Sequence, residues 1–119
     1  MATGWVNLSG TWYYLYGSGA MATGWLNQGG TWYYLHGGGA MATGWQWING
    51  AWYYLHDWGG MATGWLDLGG TWYYLYGSGA MASNCWIGNY YVGGSGAMLT
   101  DTWIGPYHVN SSGLWDATR

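Results

Sequence analysis

Tryptophan recurs in pairs along the chain: Trp5 with Trp12, Trp25 with Trp32, Trp45 with Trp52, and Trp65 with Trp72, the second of each pair opening a Trp-Tyr-Tyr-Leu tetrapeptide. An indole presents the strongest aromatic face to a cation, and each such contact is worth about 0.5 to 2 kcal/mol. Rings that stay partly exposed and converge on one spot form a cage suited to a quaternary ammonium group, which carries diffuse charge and has no N–H to donate. Three rings give on the order of a few kcal/mol, roughly millimolar affinity per site. Useful binding therefore requires several cages acting together on a repetitive polymer. Thirteen Trp, thirteen Tyr and no Phe argue for ring chemistry beyond bulk, because a core that needs only volume mixes Leu, Ile, Val and Phe. Repeated aromatics also serve packing alone, and patterning by itself leaves both readings open.

Charge narrows the ligand. Arg119 is the single Lys or Arg against four acids, a formal net charge of −3, so the chain lacks the basic footprint of a nucleic-acid binder. No apolar run approaches the ~20 residues that span a bilayer, and no membrane insertion is expected. One cysteine, Cys85, excludes a disulfide within the chain. His36 and His56 occupy a slot filled elsewhere by Tyr16 and Tyr76, which favours a strand-end ring over a metal ligand, and His108 has no evident partner. The acids Asp57, Asp67, Asp101 and Asp116 read as turn or loop residues with no recurring pair for acid–base work. The expectation is no enzyme, no cofactor and no metal.

The elements that position the rings follow from a repeat. Met-Ala-Thr-Gly-Trp begins at 1, 21, 41 and 61, a period of 20, after which the steps from Met81 to Met98 and from Met98 to Trp115 shorten to 17. Met1 falls in phase with Met21, so the start reads as repeat rather than leader, and the chain as a piece cut from, or designed after, a longer repeat protein. The expected organisation is four full repeats over 1–80 and two shortened repeats with a cap over 81–119, ending in a tail at 115–119. Each full repeat predicts a β-hairpin: a strand from the Gly-Trp pair, a tight turn at Ser9-Gly10, Gly29-Gly30, Asn49-Gly50 or Gly69-Gly70, and a return strand of Trp-Tyr-Tyr-Leu. Lone hairpins are marginal in water, so they must stack, giving an all-β fold, a β-solenoid of hairpins. Alternation sends Trp12 and Tyr14 to one side and Tyr13 and Leu15 to the other. The expected assignment places Tyr13 and Leu15 inside and Trp5, Trp12 and Tyr14 at the seam between repeats.

Gly-Trp, a six-residue gap, Trp-Tyr-Tyr-Leu and then Gly-Ala-Met resembles the choline-binding repeats of Gram-positive cell-wall hydrolases and surface proteins. The resemblance implies a left-handed solenoid, with sites taking two Trp from one repeat and a Tyr and an apolar residue from the next. Carried over, these are Trp5, Trp12, Tyr34 and Met21; Trp25, Trp32, Tyr54 and Met41; Trp45, Trp52, Tyr74 and Met61; and Trp65, Trp72, Tyr91 and Met81. Asn89 stands where a second Trp belongs, Asn84-Cys85-Trp86 replaces the Gly-Trp start, and Trp86 and Trp103 read as cap packing, with a ligand role as the alternative. The family also carries more surface charge than this chain. The resemblance implies a non-catalytic, secreted or cell-surface module anchored to a choline-substituted wall polymer such as teichoic or lipoteichoic acid. Glucan-binding repeats share the skeleton, and a nearly uncharged stack with exposed rings also suits a self-associating fibre or other homo-oligomer; both stand as alternatives.

Overall fold

The computed structural model describes residues 3–119; Met1 and Ala2, and with them the first repeat's opening Met-Ala, lie outside the described residues. The chain is built of short strands in antiparallel hairpins, the all-β class expected, and no helix among the described residues is long and apolar enough to cross a membrane. The full repeats give β1 (Gly4–Leu8) with β2 (Thr11–Leu15), β3 (Gly24–Gln28) with β4 (Thr31–Leu35), β5 (Gly44–Ile48) with β6 (Ala51–Leu55), and β7 (Gly64–Leu68) with β8 (Thr71–Leu75). The shortened repeats give β9 (Cys85–Ile87) with β10 (Tyr90–Val92), then β11 (Thr102–Ile104), β12 (Tyr107–Val109) and β13 (Trp115–Thr118) as one three-stranded sheet. The predicted C-terminal tail is thus a paired strand. The backbone forms two compact halves, one reaching to Ala62 and the other beginning at Thr63.

The hairpins turn where the dipeptides require. Ser9 and Gly10 adopt φ of 55° and 87°, and Asn49 and Gly50 adopt 50° and 86°, the paired positive angles whose twist matches antiparallel strands. The Asn7 side-chain oxygen accepts from the Gly10 amide at 3.1 Å and steadies the turn.

From the second hairpin on, the residue closing the return strand seals the core. Leu35, Leu55, Leu75, Val92 and Val109 have no solvent exposure, and Ala22, Ala42, Ala62 and Ala82 are buried beside them. Fully burying a leucine is worth roughly 1.5 to 3 kcal/mol. The next repeat's methionine forms a β-bridge with that leucine, as Leu15 does with Met21 and Leu35 with Met41.

The first tyrosine of the Trp-Tyr-Tyr-Leu run departs from expectation. Tyr33 and Tyr53 do not join Leu35 and Leu55 inside but stay half-buried, whereas Tyr14 and Trp5 pack against the cluster of Ala22, Leu26 and Leu35. The core is filled by aliphatic side chains, Leu26 with Leu35 and Ile48 with Leu55, and the phenol is left at the margin.

Candidate functional site

In β1 and β2, Trp5 stands opposite Tyr14 and Asn7 opposite Trp12, so both tryptophans share a face of the hairpin. Trp5 meets Tyr14 edge-on at 5.2 Å between ring centroids. The facing hairpin sends back Tyr33, whose ring lies 4.9 Å from Trp5 at 64°. Met41 closes the group: its amide donates to the Trp12 carbonyl at 2.9 Å, which lays the segment before β5 alongside β2. The result is an open hollow of about 320 Å³ lined by Trp5, Trp12, Tyr33 and Met41, with Asp57 and Trp58 at its edge. Trp12 is 42% exposed, so its ring is reachable from solvent while held by its neighbours.

The geometry recurs. Trp25 lies 6.5 Å from Trp32 and 5.0 Å from Tyr53, and the Met61 amide donates to the Trp32 carbonyl at 2.8 Å. In the second half of the chain, Trp65, Trp72, Tyr90 and Met98 line a hollow of about 360 Å³ with Ser112. There Trp65 and Tyr90 are 5.5 Å apart, and the Met98 amide reaches the Trp72 carbonyl at 2.7 Å.

The structure therefore joins Trp5 with Trp12, Trp25 with Trp32 and Trp65 with Trp72 but groups them with different partners than expected. The tyrosine is the first of each Tyr-Tyr pair: Tyr33, Tyr53 and Tyr90 rather than Tyr34, Tyr54 and Tyr91. Those others lie under their own hairpin's tryptophan, Tyr34 at 5.1 Å from Trp25, Tyr54 at 5.2 Å from Trp45 and Tyr91 at 5.2 Å from Trp86. Cross-strand pairing puts the second tyrosine on the tryptophan face, while the first points the opposite way, toward the preceding hairpin. The methionine comes one repeat later than expected, Met41 rather than Met21 and Met98 rather than Met81. Met21 and Met81 lie against Gly39 and Gly96, where an added Cβ would collide with the thioether, as Met41 and Met98 lie against Gly59 and Gly113. Trp45 and Trp52 lie in the first half, where Trp52 meets Trp47 at 5.3 Å; Tyr74 lies in the second half, 5.1 Å from Trp65.

Trp58, which the sequence shows only as a tryptophan extra to the third repeat, widening the aromatic surface or filling space in solvent, lines the first hollow. Its ring stacks on His56 at 5.4 Å and 10°, and meets Tyr33 at 6.4 Å. The third repeat carries Gly60 where the others carry Ala20, Ala40 and Ala80, and a Cβ at Gly60 would strike the Trp58 ring. That glycine was the available signal: the two changes occur together because the indole occupies the methyl's place.

The remaining polar groups do other work. His108 Nδ1 pairs with Asp116 Oδ1 at 2.7 Å, a partner hidden from the sequence because Asp116 lies on β13 rather than in a loop. Asp67, likewise within a strand, accepts from the Gly70 amide at 2.8 Å. A hydrogen bond with the Cys85 thiol at 3.5 Å pushes the Tyr76 phenol above its ordinary pKa. Among the described residues no three His, Cys, Asp or Glu side chains gather as a metal site.

Stacked hairpins that hold ring-lined hollows between them define a repeat-built all-β module. Choline-binding repeat models match residues 2–43, 42–86 and 80–115, and the chain belongs to the choline-binding repeat family. It is similar to CbpJ from Streptococcus pneumoniae TIGR4, at 50% identity and a TM-score of 0.91 over 98% of this chain and 41% of that one. Choline binding protein F from Streptococcus pneumoniae is 45% identical, with a TM-score of 0.91 over 98% and 41%. A multimodular pneumococcal cell wall endolysin from phage Cp-1, complexed with choline, is 41% identical with a TM-score of 0.55 over 67% and 24%. The chain thus spans about two fifths of the length of the first two. No match is found among curated protein sequences.

Proposed function

We propose that the hollows hold the trimethylammonium group of choline, and that the chain anchors to choline-substituted wall polymers, teichoic or lipoteichoic acid, at a bacterial surface without catalysis of its own. One observation carries this reading: Trp5, Trp12 and Tyr33 converge with the Met41 thioether around a space open to solvent. Ring faces attract a cation that cannot be hydrogen-bonded, and the thioether adds a polarizable apolar wall. Membership of the choline-binding repeat family supports choline as the ammonium. Recurrence of the site supports a polymer as its carrier, since weak cages gain affinity when several engage one chain.

Titration of the purified chain with choline chloride, and separately with a soluble glucan, tests the reading through tryptophan fluorescence. A saturable response to choline in the millimolar range, about 1 to 10 mM for isolated sites, is expected. A response to glucan alone would replace the ammonium with a sugar ring stacked on the same tryptophans.

A further inference from the structure

The first shortened hairpin lacks a second tryptophan for a geometric reason. Its strands are three residues long, so the turn at Gly88-Asn89 falls where Asn7 and Trp12 pair in the first hairpin. Asn89 thus takes the place of Trp12. The backbone partner of that place is nevertheless kept: the Trp115 amide donates to the Asn89 carbonyl at 2.8 Å, the bond that Met41 makes to Trp12 at 2.9 Å and Met98 to Trp72 at 2.7 Å. Trp115 therefore stands at the methionine position and brings an indole where the other hollows have a thioether.

Around it lies a hollow of about 300 Å³ lined by Trp86, Gly88, Asn89, Tyr107 and Trp115. Trp86 meets Tyr107 at 5.7 Å and 86°, and Tyr107 meets Trp115 at 5.9 Å and 88°. The Trp115 indole N–H donates to the Ala117 carbonyl and the Thr118 hydroxyl, both at 3.1 Å, which fixes the ring before any ligand arrives. Trp115 remains 44% exposed, so the ring is accessible.

We infer that Trp86, Tyr107 and Trp115 form a separate quaternary-ammonium site, in which Trp115 restores from the opposite wall the ring lost at Asn89. The inference rests on reading the aromatic hollows as ammonium sites. It assigns to Trp86 a ligand role in place of cap packing, draws Trp115 from the tail into the site, and extends ligand binding into the shortened repeats.

Labelling the full chain with 5-fluorotryptophan and titrating choline chloride by ¹⁹F NMR tests it. The Trp86 and Trp115 resonances are expected to shift saturably, alongside those of Trp5 and Trp12. Trp115→Met keeps the backbone bond and restores the side chain found in the other hollows, and should weaken the Trp86 response about three- to thirtyfold. Trp115→Phe, which keeps a ring, should lose less, and Trp5 and Trp12 should respond unchanged in both variants. Resonances of Trp86 and Trp115 that stay still while Trp5 and Trp12 saturate would overturn the inference alone. An unchanged Trp86 response in Trp115→Met would also overturn it. Stillness at all four tryptophans would remove the proposed function as well.

Discussion

Met41 donates its amide hydrogen to the carbonyl of Trp12 at 2.9 Å, tying the opening of the third repeat to the return strand of the first. Through that bond one hollow draws on three consecutive repeats: Trp5 and Trp12 from the first, Tyr33 from the second and Met41 ahead of the third hairpin. Unfolding of any one of them dismantles the site.

Ligand binding and folding are therefore coupled. Choline at ten times its dissociation constant should add about 1.4 kcal/mol of stability per occupied site. Thermal unfolding followed by circular dichroism should show a midpoint that climbs with choline concentration. Sodium chloride at matched ionic strength serves as the control and should not reproduce the rise.

The two adjacent tyrosines of the second hairpin should separate binding from stability. Tyr33→Ala removes a wall of the first hollow and should weaken choline there about three- to thirtyfold. Tyr34→Ala strips support from beneath Trp25 and should cost about 2 kcal/mol in urea unfolding, leaving the Trp5 response to choline in place. Fluorine-labelled tryptophan and urea titration read the two effects independently; equal losses of affinity in both variants would contradict the assignment.

Trp58 and Gly60 should behave as one device. Trp58→Ala removes an extra ring from the edge of the first hollow, and Gly60→Ala places a methyl where that ring lies. Each should weaken choline at Trp5 and Trp12 about two- to tenfold. The double variant should lose no more than either single one, because both act by displacing the same indole. Additive losses would mean that Gly60 acts elsewhere.

Asp57 gives the first hollow a carboxylate that the hollow around Trp65 and Trp72 does not have. The group is exposed, and near water a unit-charge pair at about 4 Å is worth about 1 kcal/mol. Asp57→Asn should therefore weaken choline there about two- to fivefold in dilute buffer. The difference should fade toward 1 M salt, where screening shortens to about 3 Å. Isothermal titration at two salt concentrations measures both arms.

Much of the architecture was readable from local rules. The Gly-rich dipeptides demanded positive φ, the Trp-Tyr-Tyr-Leu runs demanded strands, and the 20-residue spacing demanded stacked copies. The pairing of Trp5 with Trp12 was readable too, since both sit on one hairpin whose register follows from its turn. Asn89, by contrast, signalled only a lost tryptophan, because its replacement lies at Trp115 on another hairpin.

The sequence by itself determined the hairpins, their turns and the tryptophan pairs, because strand alternation and turn geometry act between residues close along the chain. The tertiary structure alone decided which tyrosine and which methionine meet those pairs. Tyr33 and Tyr34 are chemically identical neighbours, and each acquires its role from the hairpin its face happens to meet. Met41 is chosen over Met21 by a backbone hydrogen bond formed only when repeats stack. The same non-local contact sets Trp115 beside Asn89, and β13 beside β12 brings Asp116 to His108. Such partners are fixed by distance in space, which a repeat period along the chain does not encode.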